Sequence, residues 1–137
     1  MARLILDTGA LIALERIDAD SDALLSDDAD VAIAAITAAE LLVGVELADE
    51  AHRAGRHTFV EGVLERVQII AFDLTVARQH AQLLACVRRA GRPRGAHDLQ
   101  IAATARASAR TVLTTDRSAF AELPKVNCRV YGSRGLP

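Results

Sequence analysis

Met1–Leu14 reads MARLILDTGALIAL, and this stretch decides the fold. Leu4-Ile5-Leu6 is a short apolar run of the kind that makes a buried strand in a parallel sheet. The run stops at Asp7. Thr8-Gly9 then supply a tight turn and an N-cap, and Ala10, Leu11, Ala13 and Leu14 continue as the start of an apolar helix. A carboxylate therefore stands at the carboxyl end of the expected first and central strand of an α/β protein. In open parallel sheets that edge is where ligands bind. What else the chain delivers to Asp7 then becomes the functional question.

The chain has 137 residues, enough for one domain with a real core and too few for two, so residues 1–137 are expected to form a single domain. It is 51% hydrophobic and 25% charged, which excludes a disordered chain. No apolar run approaches the roughly 20 residues of a membrane span. No basic segment followed by an apolar core marks a signal peptide. The expectation is a cytoplasmic protein without a membrane partner. Cys86 and Cys128 lack any CxxC or paired-ligand spacing and are expected to be two unpaired buried thiols.

A net charge of -2 conceals an asymmetry. Residues 1–50 carry a balance of -10, residues 51–110 one of +6, and residues 111–137 one of +2. The basic middle is suited to nucleic-acid phosphates, and arginine's planar fork of donors suits it further. The plainer reading is coding bias and solvated helix faces, since the chain has fifteen arginines and one lysine. An acidic, cation-binding site beside a basic track is nonetheless what a nuclease needs.

Taken in order, Ile17–Asp30 is an acidic loop or short helix without the spacing of a calcium loop. Val31–Ile36 reads as a second parallel strand, and Leu41, Leu42, Val45 and Leu47 follow Thr37-Ala-Ala-Glu40 at helical spacing. Ala51–Val67 is amphipathic, with Phe59, Val60, Val63, Leu64 and Val67 on one face. Gln68–Phe72 is a third strand ending at Asp73, and Thr75–Ala90 is a helix. Gly91-Arg-Pro-Arg-Gly95 breaks the chain before an alanine-rich helix over Ala96–Ala109. Thr111–Thr115 is a fourth strand ending at Asp116, Ser118–Leu123 a short helix, and Val126–Tyr131 a last edge strand. Alternating strands and helices predict a three-layer α/β/α sandwich around a mainly parallel central sheet.

Asp7, Asp73 and Asp116 each directly follow an expected strand, Glu40 lies four residues past another, and Asp98 lies near a helix start. All strand carboxyl ends of a parallel sheet share one edge, so several of these acids should converge. Clustered carboxylates raise one another's pKa and need a cation to neutralise them. Carboxylate oxygens without histidine or thiol favour Mg²⁺ or Mn²⁺ over zinc. Such an ion can activate water and stabilise displacement at a phosphodiester. Each acid also has a purely structural reading. Thr37-x-x-Glu40 fits a capping box, Asp73 and Asp116 fit helix caps, and Asp98 suits a helix N-terminus. Asp7 has less room for such a role, because Thr8 is available to cap. His97 is expected to be an exposed loop residue, and His52, His57 and His80 surface residues.

LILDTGALIAL, ITAAELLVG, AHDLQIAATA and VLTTDRSAF, in this order and at these separations, resemble a PIN-domain ribonuclease of the short VapC type found in bacterial toxin–antitoxin pairs. The resemblance runs from Leu4 to about Phe120. It implies that Asp7, Glu40, Asp98 and Asp116 are the catalytic acids, with Thr114 as the hydroxyl of the T-x-D segment that helps to hold them. It implies Mg²⁺- or Mn²⁺-dependent endonucleolytic cleavage of RNA, leaving a 5′-phosphate and a 3′-hydroxyl. Asp7 and Asp98 are then the leading direct metal ligands, and Glu40 and Asp116 bind the same ion or a second one. Arg88, Arg89, Arg92 and Arg94 are candidates to hold the RNA backbone. The resemblance further implies a homodimer and inhibition by a small cognate antitoxin of the VapB type. The groove for it is expected along Ala51–Val67 and the first helix, with a basic side chain inserted among the acids. The loop RPRGAHD before Asp98 departs from many relatives, which carry an apolar residue and a glycine closer to the helix.

Rival readings fare worse. A phosphoryl-accepting receiver domain needs a paired acid near the first strand and a lysine at a late strand end, whereas the lone lysine, Lys125, follows Pro124. A non-catalytic nucleotide-binding or nucleic-acid-binding domain lacks both G-x-G-x-x-G and G-x-x-x-x-G-K-[ST]. A DNA-directed or flap-type nuclease of the same chemistry is the more serious alternative.

Overall fold

A computed structural model describes residues 2–16 and 30–131. The acidic segment expected over Ile17–Asp30 lies outside the described residues except for Asp30, which opens a strand. Five strands are described: β1 (Arg3–Leu6), β2 (Asp30–Ala34), β3 (Gln68–Ile70), β4 (Thr111–Thr114) and β5 (Cys128–Val130). They form one sheet of order β3-β2-β1-β4-β5 in which every pairing is parallel, with β1 at the centre. Five described helices cover it: α1 (Thr8–Glu15), α2 (Ala35–Leu47), α3 (Glu50–Arg66), α4 (Leu74–Ala90) and α5 (Ala96–Ser108).

The period of two along each strand sorts the core into two halves. Leu4, Leu6, Val31, Ile33 and Leu113 face α1, α2 and α3, where they meet Leu11, Leu14, Leu41, Val45, Val60 and Val63. Ile5, Ala34 and Val112 point the other way, onto Val76, Leu83 and Val87 of α4 and Leu99 and Ile101 of α5. Each fully buried Leu, Ile or Val contributes about 1.5–3 kcal/mol of apolar burial, so both layers hold firmly to the sheet. The expected three-layer α/β/α sandwich is the fold observed.

Several boundaries differ from expectation, each for a local reason. Asp7 itself caps α1, its Oδ1 accepting from the Ala10 N–H at 2.8 Å, while Thr8 is already helical. β2 ends at Ala34, two residues before Ile36, and α2 starts directly behind it without a side-chain cap. Thr37 and Glu40 both lie inside that helix, so the capping box is not formed. Asp73 caps α4 by accepting from the Val76 N–H at 3.0 Å, as expected. The strand expected over Gln68–Phe72 reaches only Ile70. Ser118–Leu123 is not a regular helix but part of a turn with one 3₁₀ segment at Arg117–Ala119. Glu122 (φ 66°) and Lys125 (φ 59°) adopt left-handed backbone there, which breaks both the helix and the start of the last strand. Gly91, at φ 65°, ends α4 in the conformation that glycine adopts without steric cost.

The opposite, amino edge of the sheet is tied by Arg110. Its side chain is only 3% exposed and ion-pairs with Asp30 Oδ1 at 2.7 Å. It also donates to the backbone carbonyls of Leu4 (3.1 Å) and Asp30 (3.2 Å) and to Gln68 Oε1 (3.1 Å). One guanidinium thus joins the starts of β1, β2 and β3.

Candidate active site

Pairing of Leu6 with Leu113 brings the ends of β1 and β4 level, so Asp7 stands opposite Thr114. The Asp7 N–H donates to the Leu113 carbonyl at 3.1 Å, which extends the ladder one step beyond β1. Both carboxylate oxygens are then engaged: Oδ1 by the Ala10 N–H, and Oδ2 by the Thr114 hydroxyl at 2.5 Å. Asp7 is 8% exposed and Thr114 fully buried. Gly9 permits this close approach. A Cβ there would lie 2.8 Å from Thr115 Oγ1 and 3.6 Å from Asp7 Oδ1.

Glu40 reaches the same edge from α2. Its Oε1 accepts from the Thr8 hydroxyl at 2.8 Å, and its Oε2 lies 3.2 Å from His97 Nδ1. His97 is therefore not a bystander in a loop: it is the second residue of α5 and touches a candidate catalytic acid. Asp98 follows it in the first turn of α5, where the helix dipole favours an anion. A Cβ at Gly95 would meet Asp98 Oδ2 at 3.1 Å, so the glycine leaves room for that carboxylate. Asp116 completes the group beyond β4. Its Oδ1 accepts from the Ser118 N–H at 3.0 Å and the Ser118 hydroxyl at 2.5 Å, so the capping reading holds for this acid. Its own N–H donates to Thr114 Oγ1 at 3.0 Å, linking it to Asp7 through one hydroxyl.

Asp7 feels the charges of Asp116 and Glu40, and Asp98 those of Asp7, Glu40 and Asp116. Burial, first of all, pushes the Asp7 carboxyl above its ordinary range; the Thr114 and Ala10 hydrogen bonds oppose this, and the charges of Asp116 and Glu40 add to it. Asp98 is likewise raised, by burial and then by Asp7, Glu40 and Asp116, with His97 opposing. Among the described residues no arginine or lysine ion-pairs with Asp7, Asp98 or Asp116. Nor, among them, do any three His, Cys, Asp or Glu side chains stand together as they would to hold a metal ion. The result is an oxygen-donor cluster with uncompensated negative charge, a setting suited to a hard divalent cation.

Other candidates fall elsewhere. Asp73 caps α4 behind the edge strand β3. Arg88 and Arg89 are exposed in the last turn of α4. Arg92 ion-pairs with Glu122 at 2.5 Å, and Arg94 donates to the Ala121 carbonyl at 2.6 Å, so both brace the C-terminal segment. His52 pairs with Asp49 at 2.7 Å, His57 lies 3.8 Å from Glu61, and His80 packs edge-on against Phe72. Cys86 and Cys128 are free thiols, partly rather than fully buried. Sequence reasoning missed the Thr8–Glu40 and His97–Glu40 contacts. Their one visible signal was adjacency, since Thr8 follows Asp7 and His97 precedes Asp98.

The PIN domain family model matches residues 4–126, a span that contains all four acids. The chain belongs to the PIN domain family. It is 32% identical over 124 residues to Ribonuclease VapC of Rickettsia bellii, covering 90% of this chain and 92% of that protein. Its fold is similar to that of DNA-bound VapBC from Salmonella typhimurium, with a TM-score of 0.83, 25% identity and coverage of 95% and 98% of the two chains. It is also similar to VapBC-5 of Mycobacterium tuberculosis, a member of the VapBC family of toxin–antitoxin systems, with a TM-score of 0.72, 33% identity and coverage of 93% and 97%. For this PIN domain, the relatives and the acid edge point in one direction.

Proposed function

We propose that this PIN domain is a metal-dependent endoribonuclease toxin that hydrolyses RNA phosphodiester bonds at Asp7, Glu40, Asp98 and Asp116 and is neutralised by a small antitoxin. The observation that carries the reading is the gathering of these acids from separate segments at one sheet edge, without a pairing arginine or lysine among the described residues. The ribonuclease and toxin–antitoxin relatives supply the substrate class and the partner.

The donor set fits Mg²⁺ or Mn²⁺. Asp7 and Asp98 are the leading ligands, and Glu40 and Asp116 serve the same ion or a second one. When bound, such an ion supplies an activated water and neutralises charge at the reacting phosphodiester. The chain does the rest. Ala10 and Thr114 hold the two oxygens of Asp7, and Ser118 holds Asp116. Exposed Arg88, Arg89 and Arg117 are the free candidates for the RNA backbone. Arg92 and Arg94, though engaged within the chain, keep positive charge on the same segment.

The antitoxin is assigned to the cleft between α1, α2 and α3. Ile12, Leu41, Gly44 and Phe59 line it beside Thr8 and Glu40, and the Glu15–Arg56 ion pair closes its other side, so apolar surface leads to one of the acids. Exposed Leu42, Val43 and Leu47 on α2 extend that apolar surface. A second apolar surface, Ile69, Phe72 and Leu74 around the edge strand β3, suits the homodimer contact.

The test is to incubate the purified chain with structured RNAs, and with DNAs of the same sequence, in Mg²⁺, Mn²⁺ or EDTA. RNA cleavage in either metal, abolished by EDTA, is expected. Cleavage of DNA alone would replace the RNA substrate with the DNA-directed alternative.

A further inference from the structure

Glu40 is held from two sides by residues of two other helices. The Thr8 hydroxyl reaches Oε1 at 2.8 Å, and His97 Nδ1 reaches Oε2 at 3.2 Å. These two contacts come from the residue immediately after Asp7 and the residue immediately before Asp98. Glu40 is thus tied to two of its companion acids by the shortest covalent routes available. The negative charges of Asp7 and Asp98 would otherwise drive a long, flexible carboxylate outward.

We propose that His97 is a positioning residue whose imidazole, with Nδ1 against Oε2, acts together with the Thr8 hydroxyl to clamp Glu40 at a fixed place in the acid cluster before metal and RNA arrive. The proposal rests on the metal-nuclease reading above. The His97 side chain is 53% exposed, so it adds little to the core, and its replacement should leave folding intact. Residues that orient a metal-binding carboxylate change metal affinity or activity by about 10–100-fold when removed.

The experiment measures Mn²⁺ binding by calorimetry alongside RNA cleavage for the full chain and the variants His97→Leu and His97→Asn. Asparagine places its amide nitrogen close to the position of histidine Nδ1 and keeps a polar contact there. His97→Leu should weaken Mn²⁺ binding by about 10-fold and lower kcat by about 10–100-fold with little change in KM. His97→Asn should recover most of both. Adding His97→Leu to Glu40→Ala should cost nothing further, because the clamp then has nothing to hold. The clamp is overturned if His97→Leu binds Mn²⁺ and cleaves like the wild type, if asparagine is no better than leucine, or if the two losses multiply. A wild type that takes up no Mn²⁺ would instead overturn the metal reading beneath it.

Discussion

The Thr114 hydroxyl donates to Asp7 Oδ2 at 2.5 Å across the ends of the two central strands. The same oxygen accepts from the Asp116 N–H at 3.0 Å, which turns the single hydroxyl proton toward Asp7. The bond opposes the rise in the Asp7 pKa that burial causes. Thr114→Val keeps the β-branched shape and the strand but removes the donor. It should raise the Asp7 pKa further and slow RNA cleavage by about 10-fold or more, in line with losing a charge-assisted hydrogen bond. A carboxyl NMR titration reads the first effect and single-turnover kinetics the second.

The metal-free protein should carry an electrostatic liability at neutral pH. Asp7 and Asp98 have folded-state pKa values raised above their unfolded ones. Their contribution to stability is therefore present below the unfolded carboxylate pKa and is lost as pH rises through the folded values. Asp98→Asn should accordingly raise the thermal midpoint of the metal-free protein at pH 7, and added Mg²⁺ should stabilise the wild type more than this variant. Asp30 has the opposite sign. Arg110 and then Arg3 hold its carboxyl below the usual range, so its contribution is present at neutral pH and is lost as pH falls through that depressed value. Thermal melts across pH 3–8, with and without Mg²⁺, separate the two.

The helical glycines provide an internal control. Gly62, inside α3, has nothing within 4 Å of the position a methyl group would take, and Gly62→Ala should stabilise by about 0.5–1 kcal/mol through helix propensity. Gly9→Ala should do the reverse, because its methyl would lie 2.8 Å from Thr115 Oγ1 and 3.6 Å from Asp7 Oδ1, so the Thr115 side chain must turn aside next to the site. A lower melting temperature and reduced cleavage for Gly9→Ala, beside a gain in stability for Gly62→Ala, would show that the glycine serves the site.

Arg110→Met should destabilise by about 2–3 kcal/mol, since it removes charge-assisted bonds to the buried ends of β1 and β2. Chemical denaturation measures this. The acid cluster lies at the far edge of the sheet, so cleavage by the remaining folded protein should persist.

The layers and the meeting of acids at one sheet edge were legible because they rest on strong, local signals. Leu4-Ile5-Leu6 followed by Asp7 specifies a buried strand ending in a carboxylate, and a parallel sheet delivers the other strand ends to the same edge. What stayed hidden depends on tertiary contact. The Thr37-x-x-Glu40 pattern matched a capping box, yet α2 starts at Ala35 and leaves Glu40 free to meet Thr8 and His97. Thr8 was the expected cap of α1, but Asp7 takes that place through its Oδ1 while its Oδ2 meets Thr114 of β4, so one carboxylate serves both helix and strand. Arg110 looked like one more charge in a basic stretch. Its role requires knowing that β1, β2 and β3 begin side by side above it.

The most direct test of the central claim compares cleavage of a pool of structured RNAs by the wild type and by Asp7→Asn, each in Mg²⁺, Mn²⁺ or EDTA. Asparagine keeps an oxygen to cap α1 but removes the charge from the middle of the acid cluster. Metal-dependent cleavage by the wild type, lost in Asp7→Asn while its fold persists, is the predicted result. Equal cleavage by the two proteins would contradict an active site built around Asp7.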